Sequence, residues 1–433
     1  MKIAIIGSGI SGLTCAYYLN KNHDITLFEA NDYIGGHTAT VDVEVKGKKY
    51  KVDTGFIVYN DRTYPNFINL MNEIGVEGKP TEMSFSVRND EIGLEYNGHS
   101  ISTLFAQKSN LFNPQFYRFI REILKFNELA KQSVSEKDTH FITLGDFLTS
   151  YGFSDYFTQN YLLPMGAAIW SSTIADIRKF PMMFFMRFFR NHGLLDVKNR
   201  PQWHVIKGGS NSYVEPMTRE FKDKIKLNSP VEKVWRDESG VHVVSNGNHE
   251  LFDEVVFACH SDQALNMIQD KTLAEQTILP KLKYQANEVT LHLDTGLLPK
   301  RRKAWASWNY QLPEADSMDH QLPTLTYNMN ILQGIQSDET FCVSLNSSEK
   351  IRQDKILKSF VYHHPLFNRE SSEAQSRRAE INGNNRSWFC GAYWYNGFHE
   401  DGVRSALDVV RAIEAKAIGV SNVHSKQRWE NAS

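Results

Sequence analysis

Residues 2–12, Lys-Ile-Ala-Ile-Ile-Gly-Ser-Gly-Ile-Ser-Gly, decide the fold. Ile3 to Ile6 are apolar, glycines stand at 7, 9 and 12, and Leu13–Asn20 holds no helix breaker before a second apolar run at Ile25–Phe28. Strand, glycine turn, helix and strand in that order make a βαβ unit. G-x-G-x-x-G in that context, with Glu29 ending the second strand, is the dinucleotide fingerprint. Gly7 permits the tight turn, Gly9 lets the backbone approach a pyrophosphate, and Gly12 lets helix and strand close on each other. Ile10 and Ser11 then offer the phosphates free amides and the positive end of a helix dipole, while Glu29 accepts hydrogen bonds from a ribose. A carboxylate there argues against a 2′-phosphate. The plain alternative is a glycine turn without a ligand, and the fingerprint alone does not separate FAD from NAD.

The 433 residues allow two to three domains and a core large enough to enclose a cofactor. Lys and Arg total 48 against 50 Asp and Glu, with 41% hydrophobic and 23% charged residues, a profile that excludes disorder, collagen and a polybasic nucleic-acid binder. The four cysteines, Cys15, Cys259, Cys342 and Cys390, form no C-x-x-C pair, so neither a disulfide framework nor a zinc site is read and a cytoplasmic setting is expected. No signal peptide and no spanning helix are expected; peripheral contact with a membrane surface stays open.

Residues 82–98 alternate like a hairpin, with Phe85, Val87, Leu94 and Tyr96 as strand positions. Phe116, Phe119, Ile120, Ile123 and Leu124 fall at helical spacing within Pro114–Ala130, and the stretch to about 200 reads as mostly helical. Val231–Cys259 reads as successive antiparallel strands, and further strands are expected at Val289–Leu293, Thr324–Met329 and Phe341–Leu345. The last helix is expected over Val403–Ile418, followed by a frayed polar tail at 421–433.

Beyond the fingerprint, Gly35-Gly36-His37-Thr38 and Val52-Asp53-Thr54-Gly55-Phe56 follow Glu29 closely; Lys207-Gly208-Gly209-Ser210, Asp253–Ala258, Trp388-Phe-Cys-Gly391 and Gly397–Ala406 come later. In these segments the chain resembles the flavin-containing amine oxidase superfamily, with monoamine and polyamine oxidases, phytoene desaturase-like enzymes and protoporphyrinogen oxidase. It is most similar to bacterial proteins known only as NAD/FAD-binding, often encoded beside cyclopropane-fatty-acid synthases.

The resemblance implies FAD as cofactor and an α/β fold: a Rossmann-like FAD-binding domain with a mixed-sheet substrate domain and a helical cap. The FAD domain would be discontinuous, at 1–80, 201–280 and 385–420, with the substrate sheet at 81–100 and 281–384 and the cap at 101–200. It carries FAD contacts onto Gly7, Gly9, Ile10, Ser11, Gly12, Glu29, Ala30, Gly36, His37, Thr38, Gly55, Phe56, Val231, Gly391, Asp401, Gly402 and Val403. The amides of Gly402 and Val403 would open a helix aimed at the isoalloxazine, stabilising negative charge on the reduced ring. Position 37 is usually arginine in the family, and a neutral imidazole gives phosphate less charge. Ala392 also departs, standing where many relatives carry an acidic residue.

Only one G-x-G-x-x-G occurs, so no second nucleotide domain is read and the substrate itself is expected to reduce the flavin. Trp394, Tyr395 and His399 are the catalytic candidates, His399 as acid or base. Trp305, Trp308, Asn309, Tyr327 and Asn328 are candidates for an aromatic pocket, with ordinary core packing as the competing account. The apolar run Phe180–Phe189 offers Met183, Phe184 and Phe188 as a channel wall for an acyl chain, a membrane contact, or a buried helix face. Arg187 and Arg190 would meet an acidic headgroup or snorkel. The fifteen histidines, His363-His364 included, show no metal spacing.

The function expected is hydride removal from a C–H bond of an apolar, lipid-like substrate, with oxygen one candidate acceptor and no nucleic-acid partner. An amine oxidase forming hydrogen peroxide is the first alternative. A non-catalytic FAD-binding or partner-binding protein is the second.

Overall fold

In the computed structural model, which describes residues 1–133, 142–196, 198–314 and 320–419, the chain opens with β1, Lys2–Ile6, and α1, Ile10–Leu19. β2, Asp24–Phe28, then pairs with β1 in parallel, Lys2 opposite Asp24 and Ile6 opposite Phe28. Ile3, Ala4 and Ile5 are fully buried. An unbroken apolar run of this kind suits a parallel strand covered on both faces.

The chain leaves this unit through β3, Phe85–Asn89, and β4, Leu94–Asn97, the hairpin expected at 82–98. A helical stretch follows with α2, Ile101–Leu104, α3, Pro114–Ser133, and α4, Met182–Asn191. α3 buries Phe116, Phe119 and Phe126 completely. α4 is a core helix: Met182, Met183, Phe185, Met186, Phe188 and Phe189 are buried, Phe184 and Arg187 are half-buried, and Arg190 and Asn191 at its C-terminal end are exposed. The run at 180–189 therefore has no face left for a bilayer. With apolar residues on nearly every side, the helix must be enclosed on nearly every side.

β5, Ile225–Lys226, returns to pair with β2. β6, Val231–Asp237, β7, Gly240–Ser245, and β8, Asn248–Phe252, form a separate antiparallel sheet. The next strand corrects the expectation of a continued antiparallel series: β9, Glu254–Phe257, runs parallel to β1. All four of its residues are buried, the pattern of a doubly covered parallel strand and not of a half-exposed hairpin.

β10, Tyr284–His292, β11, Trp308–Gln311, β12, Thr324–Asn328, β13, Cys342–Leu345, and β14, Ile356–Pro365, join the early hairpin in a mixed seven-stranded sheet of order β14-β10-β13-β12-β11-β3-β4. β15, Ser387–Phe389, completes a five-stranded sheet of order β5-β2-β1-β9-β15, drawn from three stretches of chain. α5, His399–Ala417, packs on α1 and starts one turn before the expected Val403. The cause is a cap: Phe398 N–H donates to Asp401 Oδ2 at 2.9 Å, and Gly402 N–H bonds to Phe398 O at 3.0 Å. The tail expected to fray, 421–433, lies outside the described residues. Among the described residues no helix is long and apolar enough to cross a membrane, and no group of histidine, cysteine and acidic side chains is arranged to hold a metal ion.

Candidate active site

At the mouth of β1 the first helical bond of α1 runs from Leu13 N–H to Gly9 O, 2.9 Å, so the amides ahead of Leu13 have no helical acceptor. A Cβ built on Gly9 meets nothing within 4 Å, whereas one on Gly12 falls 1.8 Å from Gly7 O. Gly36, at φ +58°, crosses so close that its Cβ would lie 3.1 Å from Gly9 Cα. Gly55 is pinned in the same way, 2.1 Å from His37 O. The turn is a cradle with its open side at Gly9.

Glu29 is buried behind the cradle. One carboxylate oxygen accepts from the amide and hydroxyl of Ser8, the other from the amide and side chain of Asn31. The backbone donors are fixed, so a ribose would replace the rotatable ones, the Ser8 hydroxyl and the Asn31 amide. Ala30 beside it is exposed, and Val231 begins β6 as a buried residue.

His37 has its Nε2 buried with no hydrogen-bond partner. Its ring lies 6.3 Å from His260, 6.1 Å from His364 and 5.1 Å from Tyr362. Burial, reinforced by His364, pushes its pKa down to about 3, and His260 and His364 are each pushed down to about 4, again chiefly by burial. His260, His363 and His364 gave no sequence signal for this place. They reach it from the ends of β9 and β14 through tertiary packing.

These residues fit FAD. The vacant side of Gly9 and the unpartnered His37 nitrogen are what a diphosphate would fill, and Gly402 and Ser11 close the other flank. Ser11 Oγ donates to Gly402 O at 3.0 Å, and a Cβ on Gly402 would lie 2.7 Å from Ile10 Cγ2. Because α5 begins at His399, its leading amides are those of His399, Glu400 and Asp401. Gly402 N–H is already spent inside the helix, which corrects the expectation for Gly402 and Val403.

His399 stacks on Phe56 with ring centroids 3.6 Å apart and planes 7° apart. Its Nε2 meets Tyr213 OH at 2.8 Å and Thr38 Oγ1 at 3.2 Å, and Thr38 and Tyr213 are themselves joined. Burial, with His37 nearby, lowers its pKa to about 3. Tyr213 and Thr38 at Nε2 and Phe56 against the ring face thus fix the orientation of His399. Asp401 caps α5, and burial raises its pKa to about 7. Glu400 accepts from the amides of Asn66 and Phe67 and from Asn66 Nδ2. Both acids are thus committed to helix ends, Asp401 to that of α5 and Glu400 to that of the helix Pro65–Glu73.

The other catalytic candidates turn elsewhere. Trp394 is buried against Tyr393 with the Arg378 guanidinium 5.3 Å from its ring, and Tyr395 OH donates to Asp408 Oδ2 at 2.7 Å. Their neighbour Phe398 does face the aromatic wall: it stacks on Phe188 of α4 at 5.1 Å, and Phe184 stacks on Phe367 at 5.4 Å. Trp170, another residue without sequence signal, lies 4.8 Å from Phe188. Met183 is buried on the same helix.

Of the five pocket candidates in the large sheet, Trp308 and Tyr327 are paired across β11 and β12, edge to face at 5.1 Å and half-buried, with Trp308 Nε1 unpartnered. Asn309 is consumed by Ala306, Thr326 and Ser86, Asn328 caps the Met329–Leu332 helix, and Trp305 Nε1 donates to Pro299 O. Those three serve the scaffold. Trp308 and Tyr327 border both the cap core and the core under the large sheet, and Phe398 borders the cap core and the α1–α5 core.

A family model for flavin containing amine oxidoreductase matches residues 10–327. The chain is 23% identical over 326 residues to flavin-containing amine oxidase A of Sus scrofa, covering 72% of this chain and 58% of that one. The chain spans little more than half the length of the first curated relatives it matches. Cyclohexylamine oxidase from Brevibacterium oxydans superposes with a TM-score of 0.69 at 15% identity, over 96% of this chain and 99% of that one. A CLA-producing fatty acid isomerase from P. acnes gives 0.68 at 15%, over 95% and 98%. At such identities the likeness to these solved structures is one of fold.

Proposed function

The chain belongs to the flavin containing amine oxidoreductase family, and from that premise we propose that it is an FAD-dependent oxidoreductase removing hydride from a C–H bond of an apolar, lipid-like substrate. FAD supplies the hydride acceptor. The protein's own part is to hold the diphosphate at Gly9 and His37, to aim the first turn of α5 at the ring, and to place a C–H bond beside it in a space without water. Phe398 carries the proposal: it starts α5 and at the same time stacks on Phe188, joining the flavin-facing turn to the aromatic wall of α4. That wall continues through Phe184 and Phe367.

An acyl chain gains about 0.8 kcal/mol per methylene buried on such a wall, whereas an ammonium group loses hydration there. Glu400 and Asp401, the acids nearest the turn, already serve helix ends and are not available to receive a cation. Oxygen is the proposed acceptor of the electrons.

The test is anaerobic flavin bleaching across unsaturated or methylated acyl lipids and across primary amines and polyamines, in the wild type and in Phe184→Ala. Lipids should bleach the flavin, and the variant should bleach at least about tenfold more slowly at unchanged FAD content, the scale of one lost aromatic contact. Bleaching by amines with no response to any lipid would refute the substrate class. A flavin that neither class bleaches would point to the non-catalytic alternative.

A further inference from the structure

The most exposed large apolar side chains of the described residues include Phe112, 87% exposed, and Ile101, 80% exposed. Leu111 and Tyr117, at 45% and 44%, stand in the same segment. Tyr117 OH donates to Leu111 O at 3.0 Å, and Phe105 packs on both Phe116 and Tyr117, so the protruding groups rest on a fixed platform. From Tyr96 to Arg121 the sequence has no aspartate or glutamate but carries His99, Lys108, Arg118 and Arg121.

The fold adds a second set of cations. α2 packs against the turn Arg302–Ala304, and the two are tied through Asn97, which donates to Trp305 O at 2.8 Å and accepts on its carbonyl from Thr103 Oγ1 at 3.0 Å. This brings Lys300-Arg301-Arg302-Lys303 beside Ile101. The carboxylates of the neighbourhood are spent: Glu95 is buried and takes Arg301, Asp90 pairs with Arg88 and Lys300, Glu82 lies 3.9 Å from His99, and Glu122 holds Ser154 and Arg118. Lys108, Arg121, Arg302 and Lys303 have no carboxylate partner among the described residues.

We propose that this surface docks the protein on a phospholipid bilayer with anionic headgroups, Ile101, Leu111 and Phe112 entering the interface and the cations meeting phosphates. Projecting apolar tips set among unpaired cations, with no acid between, match both the apolar and the charged layer of such an interface. A protein partner would need only one of the two features. None of these residues belongs to the flavin cradle, and the proposal stands apart from the chemistry of the substrate.

The test is cosedimentation of the FAD-loaded full chain with vesicles of phosphatidylglycerol and phosphatidylcholine, and with phosphatidylcholine alone, at low and high salt. The wild type should pellet with the anionic vesicles and be released by salt. Ile101→Asp with Phe112→Asp, and separately Lys108→Glu with Arg121→Glu, should each cut the bound fraction about tenfold at unchanged flavin spectrum. No pelleting with anionic vesicles, or equal pelleting by the variants, overturns the proposal. So does a wild-type dimer without vesicle affinity that Phe112→Asp dissociates, since the patch would then belong to a second copy.

Discussion

Gly9 and Gly12 belong to one motif and answer to different demands. At Gly12 the added Cβ would fall inside the carbonyl of Gly7, a backbone clash that no side-chain movement relieves. At Gly9 it would enter open space, at a φ of −65° that any residue adopts. Gly9→Val should therefore fold with a near-native melting temperature and bind FAD about a hundredfold more weakly or worse, because the methyls take the room of the diphosphate. Gly12→Val should fail to accumulate as folded protein. Titration of apo-protein with FAD by fluorescence, together with thermal melts, separates the two, and FAD bound normally by folded Gly9→Val would move the phosphates elsewhere. The glycines and Glu29 could be assigned from the sequence because their roles are local. His37 could be placed from the sequence, but its companions could not: His260 and His364 come from strands far along the chain, and no local pattern announces that three rings will meet.

Elements show the same division. β1, α1 and β2 were legible because a continuous apolar run, glycines and a breaker-free helix follow one another within thirty residues. β9 was misplaced because Glu-Val-Val-Phe directly follows three true antiparallel strands, and pairing partners are not written in a strand's own residues. The start of α5 was missed by one turn because its cap comes from Asp401 inside the helix and not from a preceding polar residue. One tie between elements has a cost that can be measured. Arg236 on β6 is buried, holds Glu275 through two nitrogens and Asp270 through a third, and donates to Ser387 Oγ on β15. Arg236→Met removes the cation and leaves Glu275 buried and unpaired, so it should cost about 3–5 kcal/mol in urea denaturation. Adding Glu275→Leu should recover most of that loss. A single variant within 1 kcal/mol of wild type, by the same scale of about 1 kcal/mol for exposed pairs, would mean the network contributes little.

For the molecule as a whole, buried histidines set the response to acid. His192, His260, His292 and His364 are held near 4, and His37 and His399 near 3, all chiefly by burial. With folded values below the ordinary 6.5, the unfolded chain binds more protons between pH 6.5 and about 4, so stability falls as pH falls through that window. Asp53, raised to about 6, Asp401, raised to about 7, and Glu400, raised by burial, work the other way but are three against six. The melting temperature should drop steadily from pH 7 to pH 5, with each histidine withdrawing about 1–2 kcal/mol; a flat or rising melt curve at constant ionic strength would contradict this. The same molecule also has a history imposed by its connectivity. The sheet beneath the cradle takes β1 and β2 from the first thirty residues, β9 from the 250s and β15 from the 380s. On a ribosome adding roughly 5–20 residues per second, the first strand emerges tens of seconds before its last neighbour in that sheet exists. Through that interval Ile3 to Ile6, which end fully enclosed, are exposed to whatever else is nearby. The nucleotide fingerprint is made long before it becomes a site, so flavin arriving early finds nothing to hold it.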